Sequence, residues 1–206
     1  MAFAGLEIGL FADYAAFRVS SGKRYAPATT ERTHDLVQFI GQWIDPSVDI
    51  QALLGDIVRH EHALVLLNAT PEPDVASGAD EGGSGVGRRI AVPRLCGRIV
   101  LHEMHCDPIL LAAALRKTVP PLAQLTLEAR YYCYWRNSQA SEIDVLEVDE
   151  FGYYVLSLVD GRRSVADISQ QLGGSRRPTR GFTRALAQLE ALGILALGRA
   201  RTAGAA

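Results

Sequence analysis

The sequence predicts an α+β protein, with an N-terminal antiparallel helical domain and a C-terminal winged-helix-like module of a three-stranded sheet and helices. Three observations lead to this prediction. Apolar residues repeat at helical spacing through residues 1–69, they alternate with a period of two after residue 93, and helical spacing returns after residue 150. Residues 70–93 are rich in Gly, Pro and Ser and predict a flexible linker to the module, residues 94–206.

Three helices are predicted within residues 1–69, and short connections favour their antiparallel packing. In the third helix, Glu61 lies on the same side as Ile57 and Leu64, at the edge of the apolar face. A carboxylate in such a place needs a partner. We therefore expect Glu61 to form an ion pair, either within the fold or at an interface with a partner protein.

Histidines occur close together at two places, but their spacing does not suit a metal site. His60 and His62 are two residues apart on a helix and point away from each other, whereas His102 and His105 point to opposite faces of a strand. No Ser-His-Asp, HExxH or paired-cysteine pattern is present. We predict neither a cofactor nor a self-sufficient catalytic site in this chain. The remaining enzymatic interpretation is a site built on Glu61, His102 or His105.

Composition and charge indicate the cellular compartment of the protein and the kind of partner that it binds. No run of about 18 apolar residues and no secretory signal pattern occurs, which favours the cytoplasm, and three unpatterned cysteines are typical of reduced thiols there. Residues 151–206 hold eight Arg against three acidic residues, a formal charge of +5. Because the whole chain has a net charge of −2, residues 1–150 have a formal charge of −7. A basic C-terminal part suits an anionic partner, although solvated helix-surface arginines are equally consistent with it.

Three strands and one helix are predicted between the linker and residue 149. Alternating apolar residues predict strands at residues 98–106, 125–135 and 143–148. A helix starts at Asp107 and Pro108, because Asp caps a helix and Pro fits its first turn. The last two strands are predicted to be joined by a hairpin loop at residues 137–141.

Residues 150–172 predict a helix, a tight turn and a second helix. Phe151 and Tyr154 belong to the apolar stripe of the first helix. Gly161 ends that helix, because Gly accepts the positive φ that a helix exit requires, and Ser164 is placed to cap the second. A third helix at residues 179–192 completes a winged-helix-like corner with an apolar stripe of its own.

Two longer stretches resemble a known family. The passages PRLCGRIVLHEMHCDPILLAAALRKTVPP and VLEVDEFGYYVLSLVDGRRSVADISQQL resemble the helper subunits of multinuclear non-haem iron oxidative enzymes. These are two-component maturases of ribosomally made peptides, of the methanobactin and thiaglutamate type. The helical corner is also similar to the peptide chaperone of pyrroloquinoline quinone biosynthesis. The resemblance covers the last half of the chain, and over the N-terminal helices it rests on the run GDIVRHEHALVLLN.

The resemblance implies a non-catalytic subunit that binds the leader of a precursor peptide and presents it to an iron-containing barrel enzyme that modifies cysteine. The two proteins would form a heterodimer, with the iron in the partner enzyme and no cofactor in this chain. In such modules the leader adds as a strand at a sheet edge and packs against the last helix. The matching positions are Ile143, Val145 and Glu147 on the strand, and Arg180 and Arg184 on the helix.

The competing interpretation is a winged-helix transcriptional regulator that binds DNA. The basic C-terminal part would then contact phosphates, and Thr183, Arg184 and Gln188 on the last helix would face the bases. Nucleotide binding is not expected, because the run GGSGVG lacks the preceding strand and the Lys-Ser/Thr of a phosphate-binding loop.

Overall fold

The computed structural model describes residues 7–22, 29–45, 47–69, 90–117, 124–137, 142–174 and 177–200. These residues form seven helices and five strands, which confirms the α+β class. The helices are α1 (Glu7–Ser20), α2 (Thr29–Trp43), α3 (Asp49–Ala69), α4 (Pro108–Leu115), α5 (Glu150–Leu158), α6 (Val165–Gln171) and α7 (Arg180–Ala191). The strands are β1 (Ile90–Leu95), β2 (Gly97–Met104), β3 (Arg130–Asn137), β4 (Asp144–Val148) and β5 (Leu195–Ala200).

The chain divides into two compact units. Unit 1 comprises Met1–Ala69 and His102–Tyr132, and unit 2 comprises Thr70–Leu101 and Cys133–Ala206. Residues 102–132 were expected in the C-terminal module, yet they are grouped with the N-terminal helices. The reason is a shared apolar core in which residues from both segments pack together: Leu53, Cys106 and Leu111, with Ile50, Ile57, Leu125 and Leu127 at its edge.

Unit 1 is built on α1, α2 and α3 together with α4. Aromatic rings join the first two helices, since Tyr14 and Phe17 on α1 lie 5.2 and 5.4 Å, centroid to centroid, from Phe39 on α2. The Trp43 Nε1–H donates to Asp13 Oδ2 at 2.8 Å. The predicted start of α4 is confirmed, because Asp107 accepts backbone N–H groups from the first turn and proline follows it.

The strands form two sheets. β2, β3 and β4 lie in that order in a three-stranded sheet, and β1 pairs antiparallel with β5. The three-stranded sheet was predicted, although β3 begins at Arg130 rather than residue 125, because Leu125 and Leu127 pack into the core of unit 1 instead. Residues 138–141 of the predicted hairpin loop lie outside the described residues.

The β1–β5 pair was not predicted. Residues 70–89 of the proposed linker lie outside the described residues, but residues 90–93 belong to β1. Pro93 lies opposite Leu197 in the pair. A proline argues against a central strand, but it is tolerated where one side of the strand needs no backbone donor, as in a two-stranded pair.

The helical corner of unit 2 forms as the sequence predicts. Gly161 has φ of 73°, so the exit from α5 uses the left-handed region. Ser164 and Asp167 form a reciprocal capping box at α6, and Thr179 Oγ1 accepts the N–H of Phe182 at 3.2 Å at the start of α7. The corner encloses an apolar core of Cys133, Trp135, Val155, Leu156, Val159, Ile168, Phe182, Leu186, Leu189, Ile194 and Leu195. Among the described helices, none is long and apolar enough to cross a bilayer.

Candidate functional site

A pocket of about 430 Å³ opens on unit 2 between the start of α5 and one face of α7; we name it the α5–α7 pocket. Helical spacing explains the α7 contribution, because positions three and four residues apart lie on one face. The lining residues are Asp149, Phe151, Thr179, Gly181, Phe182, Arg184, Ala185 and Gln188.

Two phenylalanines give the α5–α7 pocket its apolar part. Phe151 and Phe182 meet edge to face with ring centroids 6.1 Å apart. Phe182 is 2% exposed and is held by the core, whereas Phe151 is 38% exposed. Tyr154, one turn along α5, is 46% exposed. The pocket therefore has a fixed aromatic floor and an accessible aromatic rim, which suits an apolar side chain of a ligand.

The α5–α7 pocket has one acidic and one basic lining residue, Asp149 and Arg184, and they are engaged differently. Asp149 Oδ1 accepts the N–H of Gly152 at 2.6 Å, and Thr179 Oγ1 accepts that of Phe182, so both side chains act as helix caps. The guanidinium of Arg184 is exposed and pairs with no carboxylate among the described residues. It is the charge at the pocket best placed to meet a ligand carboxylate.

The edge of the three-stranded sheet leads directly to this pocket. Among the described strands β4 pairs only with β3, so it is the edge strand of this sheet. β4 ends at Val148, and the next residue, Asp149, lines the pocket. Leu146 and Val148 pack against the core of unit 2. Because side chains alternate along a strand, Val145 and the exposed Glu147 lie on the opposite face.

The predicted binding residues are only partly brought together. Val145 and Glu147 lie on the edge strand, and Ile143 comes just before it, half-buried. Arg184 lines the α5–α7 pocket, whereas Arg180 is exposed one turn earlier on α7 and is not part of the lining.

Sequence reasoning missed Phe151 as a site residue, because it was assigned to the buried stripe of α5. A signal was present in the sequence EFGYYVLSL, which is apolar on most sides of the helix. A helix that packs through one face must leave some of these side chains accessible. Tyr154 was assigned to the same stripe, and in the structure about half of its side chain is exposed.

In unit 1 the buried carboxylate is Asp56. It is fully buried, and its Oδ2 accepts the backbone N–H groups of His105 at 2.7 Å and Cys106 at 2.8 Å. Its Oδ1 lies 3.1 Å from an Arg59 guanidinium nitrogen and 3.4 Å from His105 Nδ1. Burial raises the pKa of Asp56, while the hydrogen bonds from Cys106 and His105 oppose that rise. Asp56 thus ties α3 to the turn after β2.

Glu61 does not lie at the edge of the buried face, as the sequence suggested; its side chain is exposed. The buried positions of α3 include Ala52, Asp56, Ala63 and Leu67, which share one side of the helix. At 100° per residue, Glu61 falls on the opposite side. Its expected role in an ion pair with a partner protein stays a prediction.

A second polar cluster in unit 1 consists of imidazoles. The ring centroid of His62 on α3 lies 5.9 Å from that of His34 on α2 and 5.9 Å from that of His102 on β2. We name these three residues the histidine row. Burial lowers the pKa of His62, and it lowers the pKa of His102 to about 4. His60 points elsewhere and is half-buried, with a pKa also lowered by burial.

Neither cluster offers the geometry of a metal centre. Within the part of the chain that the structure describes, no three His, Cys, Asp or Glu side chains lie so as to share a metal ion. The thiols of Cys106 and Cys133 are buried, and burial raises their pKa to about 11 and about 12, so both are held as unreactive thiols at neutral pH.

Comparison with known proteins adds no relative. A scan against protein-family models and a search of curated proteins found no match to this chain.

Proposed function

We propose that this chain is the non-catalytic subunit of a two-component enzyme. It binds the leader of a ribosomally made precursor peptide and presents it to an iron-dependent oxidative maturase that modifies cysteine. The leader adds as a strand along the outer edge of β4 and sets side chains into the α5–α7 pocket. The observation that carries the proposal is that a sheet-edge strand, β4, ends beside an aromatic pocket with an exposed arginine, at one place on unit 2.

Strand addition and the α5–α7 pocket would make different contributions to peptide recognition. Backbone hydrogen bonds to β4 supply affinity with little regard to sequence, whereas pockets for side chains supply selectivity. Phe151 and Phe182 favour an apolar leader residue. Arg184, with Arg180 one turn away, favours an acidic residue beside it, because a guanidinium pairs well with a carboxylate.

The partner enzyme is proposed to hold the iron, and this chain is proposed to hold no cofactor. We expect the heterodimer to work in the cytoplasm, where precursor peptides are made and their thiols stay reduced. On unit 1 an interface could use the exposed Glu61 together with Ile109 and Leu110, apolar α4 residues that are 60% and 58% exposed.

Titration of a labelled precursor peptide tests the proposal. We expect a short precursor gene beside the gene for this chain, and the probe is the fluorescein-labelled peptide that it encodes. Binding should raise the fluorescence anisotropy with saturation at micromolar protein or below. A scrambled peptide of the same composition is the control, and equal binding of both peptides would count against leader recognition.

A pair of proline variants tests strand addition. N–H groups of successive strand residues point to opposite edges, so Asp144→Pro and Val145→Pro remove one donor facing β3 and one facing outward. The variant that removes the outward-facing donor should keep its thermal unfolding midpoint within a few degrees and lose peptide binding. N-methylation of the peptide backbone is the matched change in the ligand, and it should weaken binding at every second position only. Uniform tolerance of N-methyl groups would exclude a paired strand.

The basic charge of the C-terminal part is the observation that favours DNA binding as the second function. That function predicts tight binding of a labelled duplex, with affinity that falls steeply as salt rises. The same anisotropy measurement decides between the two, with peptide and duplex titrated side by side at two salt concentrations. Tight duplex binding without peptide binding would overturn the proposed function.

Co-expression with the neighbouring iron enzyme tests the heterodimer. The two proteins should elute together in gel filtration at micromolar concentration. Glu61→Lys should weaken the complex by about tenfold if the carboxylate forms an interface ion pair. Glu103→Lys, which reverses another exposed charge in unit 1, is the matched control and should leave the elution unchanged.

A further inference from the structure

All histidines of this protein lie in unit 1. The sequence contains five, His34, His60, His62, His102 and His105, and the segments that form unit 2 contain none. Histidine is the side chain whose ordinary pKa lies between pH 5 and 8. Any imidazole titration in mildly acidic solution therefore acts on unit 1 directly.

The histidine row buries its central imidazole. His62 is 7% exposed, and its neighbours on α3, Ala63 and Leu67, are fully buried. Both ring nitrogens of His62 are buried and make no hydrogen bond to any residue that the structure describes. A neutral imidazole has one N–H donor, whereas a charged one has two donors and a full charge, which cost far more to bury.

The charges around the histidine row oppose protonation. His34 is the charged group that acts on His62, and His62 and Arg59 act on His102. Each of these groups is a cation when charged, so each lowers the pKa of the imidazole on which it acts. Glu103 follows His102 on β2, but alternation along the strand directs its exposed side chain to the other face.

Further charged groups lie on the same elements as the histidine row. On α2, Glu31 lies one turn before His34 in the first turn of the helix, and Asp35 follows His34 directly. On α3, Glu61 acts on His60, as does Arg116 after α4. Asp56, also on α3, acts with His105 instead of the row.

We propose that the histidine row makes unit 1 an acid-sensitive element, which packs firmly around neutral imidazoles and loosens as they take up protons in mildly acidic solution. An imidazole whose folded pKa lies below its unfolded value binds protons more readily when unfolded, so its contribution to stability is lost as the pH falls. For His102 the window runs from pH 6.5 down to about 4. Well above pH 6.5 both His62 and His102 are neutral in the folded and the unfolded state, so stability no longer depends on their protonation.

Unfolding of the full chain in urea tests the proposal. Between pH 7.5 and pH 5 the unfolding equilibrium constant should rise by roughly thirtyfold from His102 alone, with a further rise from His62. Each unit contains one tryptophan, Trp43 in unit 1 and Trp135 in unit 2, so the variants Trp135→Phe and Trp43→Phe report on one unit each. A change of less than about threefold in the constant reported by Trp43 would overturn the proposal.

Variants and a direct titration complete the test. His62→Leu should reduce the pH dependence, whereas His60→Gln, on the same helix but half-buried beside Glu61, should reduce it less. If His62→Leu fails to fold, NMR titration of the imidazole Cε1–H signals in the unaltered protein decides the matter. The signals of His62 and His102 should stay those of neutral rings at pH 5.5. Titration of both near pH 6.5 would refute the proposal.

Discussion

In unit 2 the large buried side chains are apolar, and its buried polar residues Ser164 and Ser169 are small, whereas unit 1 holds a carboxylate and an imidazole in its interior. The difference separates two ways of specifying a fold. An apolar core is indifferent to pH, so unit 2 suits a scaffold that presents the β4 edge and the α5–α7 pocket. Buried ionisable groups make the stability of unit 1 depend on their protonation and on each hydrogen bond that they accept.

The largest effect is expected from a cavity in unit 2. Leu156→Ala removes a core side chain that is 2% exposed, and it should lower the free energy of unfolding by about 2–5 kcal/mol. The loss should be equal at pH 5 and pH 7.5, because the cavity contains no titrating group. Leu110→Ala, at an exposed position of unit 1, is the control and should change stability by less than about 0.5 kcal/mol. A strongly pH-dependent loss for Leu156→Ala would contradict the expectation that the core of unit 2, unlike that of unit 1, is insensitive to pH.

A slightly smaller effect is expected from the buried carboxylate of unit 1. Asp56→Ala leaves the backbone N–H groups of His105 and Cys106 and the Arg59 guanidinium without their acceptor, and should cost about 2–4 kcal/mol. Asp56→Asn keeps one oxygen acceptor and should cost roughly half as much. Urea unfolding followed through Trp43 measures both. A tolerated Asp56→Ala would mean that this buried carboxylate does not hold α3 to the turn.

Local sequence rules account for most of unit 2. The exit at Gly161 and the cap at Ser164 each depend on residues within one helical turn, and both were predicted. The β1–β5 pair was not, because its strands are about 100 residues apart and each is short. Pairing over that distance depends on tertiary context that no local pattern contains.

The buried polar contacts of unit 1, in contrast, could not be predicted from local sequence rules. Helical spacing on α3 pointed to Glu61 as the carboxylate at the apolar face, whereas the buried carboxylate is Asp56, and its partner, the His105 backbone, lies 49 residues away. The rings of the histidine row come from three elements, so none of their contacts could be inferred from spacing. The β4 edge was predicted as a strand, whereas the exposed rim at Phe151 required knowledge of which face of α5 packs.

The proposed binding residues should give an intermediate effect that leaves both cores intact. Replacing Arg180 and Arg184 together with Ala should weaken peptide binding by about 1–3 kcal/mol, because charge-assisted hydrogen bonds are of this size. The measurement is the anisotropy titration at constant salt. Arg162→Ala, an exposed arginine in the turn between α5 and α6, controls for general loss of positive charge. Equal weakening by the control would indicate long-range attraction rather than pairing at the α5–α7 pocket.

The smallest effect is expected from two glycines of unit 2 that differ in backbone conformation. At Gly161 a Cβ would meet nothing closer than Arg94 Cγ at 3.6 Å, an ordinary contact, so the cost of Gly161→Ala comes from its φ of 73° alone. We expect a loss of about 1 kcal/mol. At Gly181, inside α7, a Cβ would meet only Thr179 Oγ1 at 4.0 Å, so Gly181→Ala should stabilise by about 0.5 kcal/mol.

Both glycine variants should give the same change at pH 5 and pH 7.5, measured by urea unfolding through Trp135, because no imidazole lies in unit 2. The sign is the sharper criterion. Opposite signs at the two positions indicate that unit 2 obeys local backbone preferences. A loss at Gly181 as large as that at Gly161 would mean that the new methyl group disturbs the α7 face of the pocket, which reduced peptide binding by Gly181→Ala would then reveal.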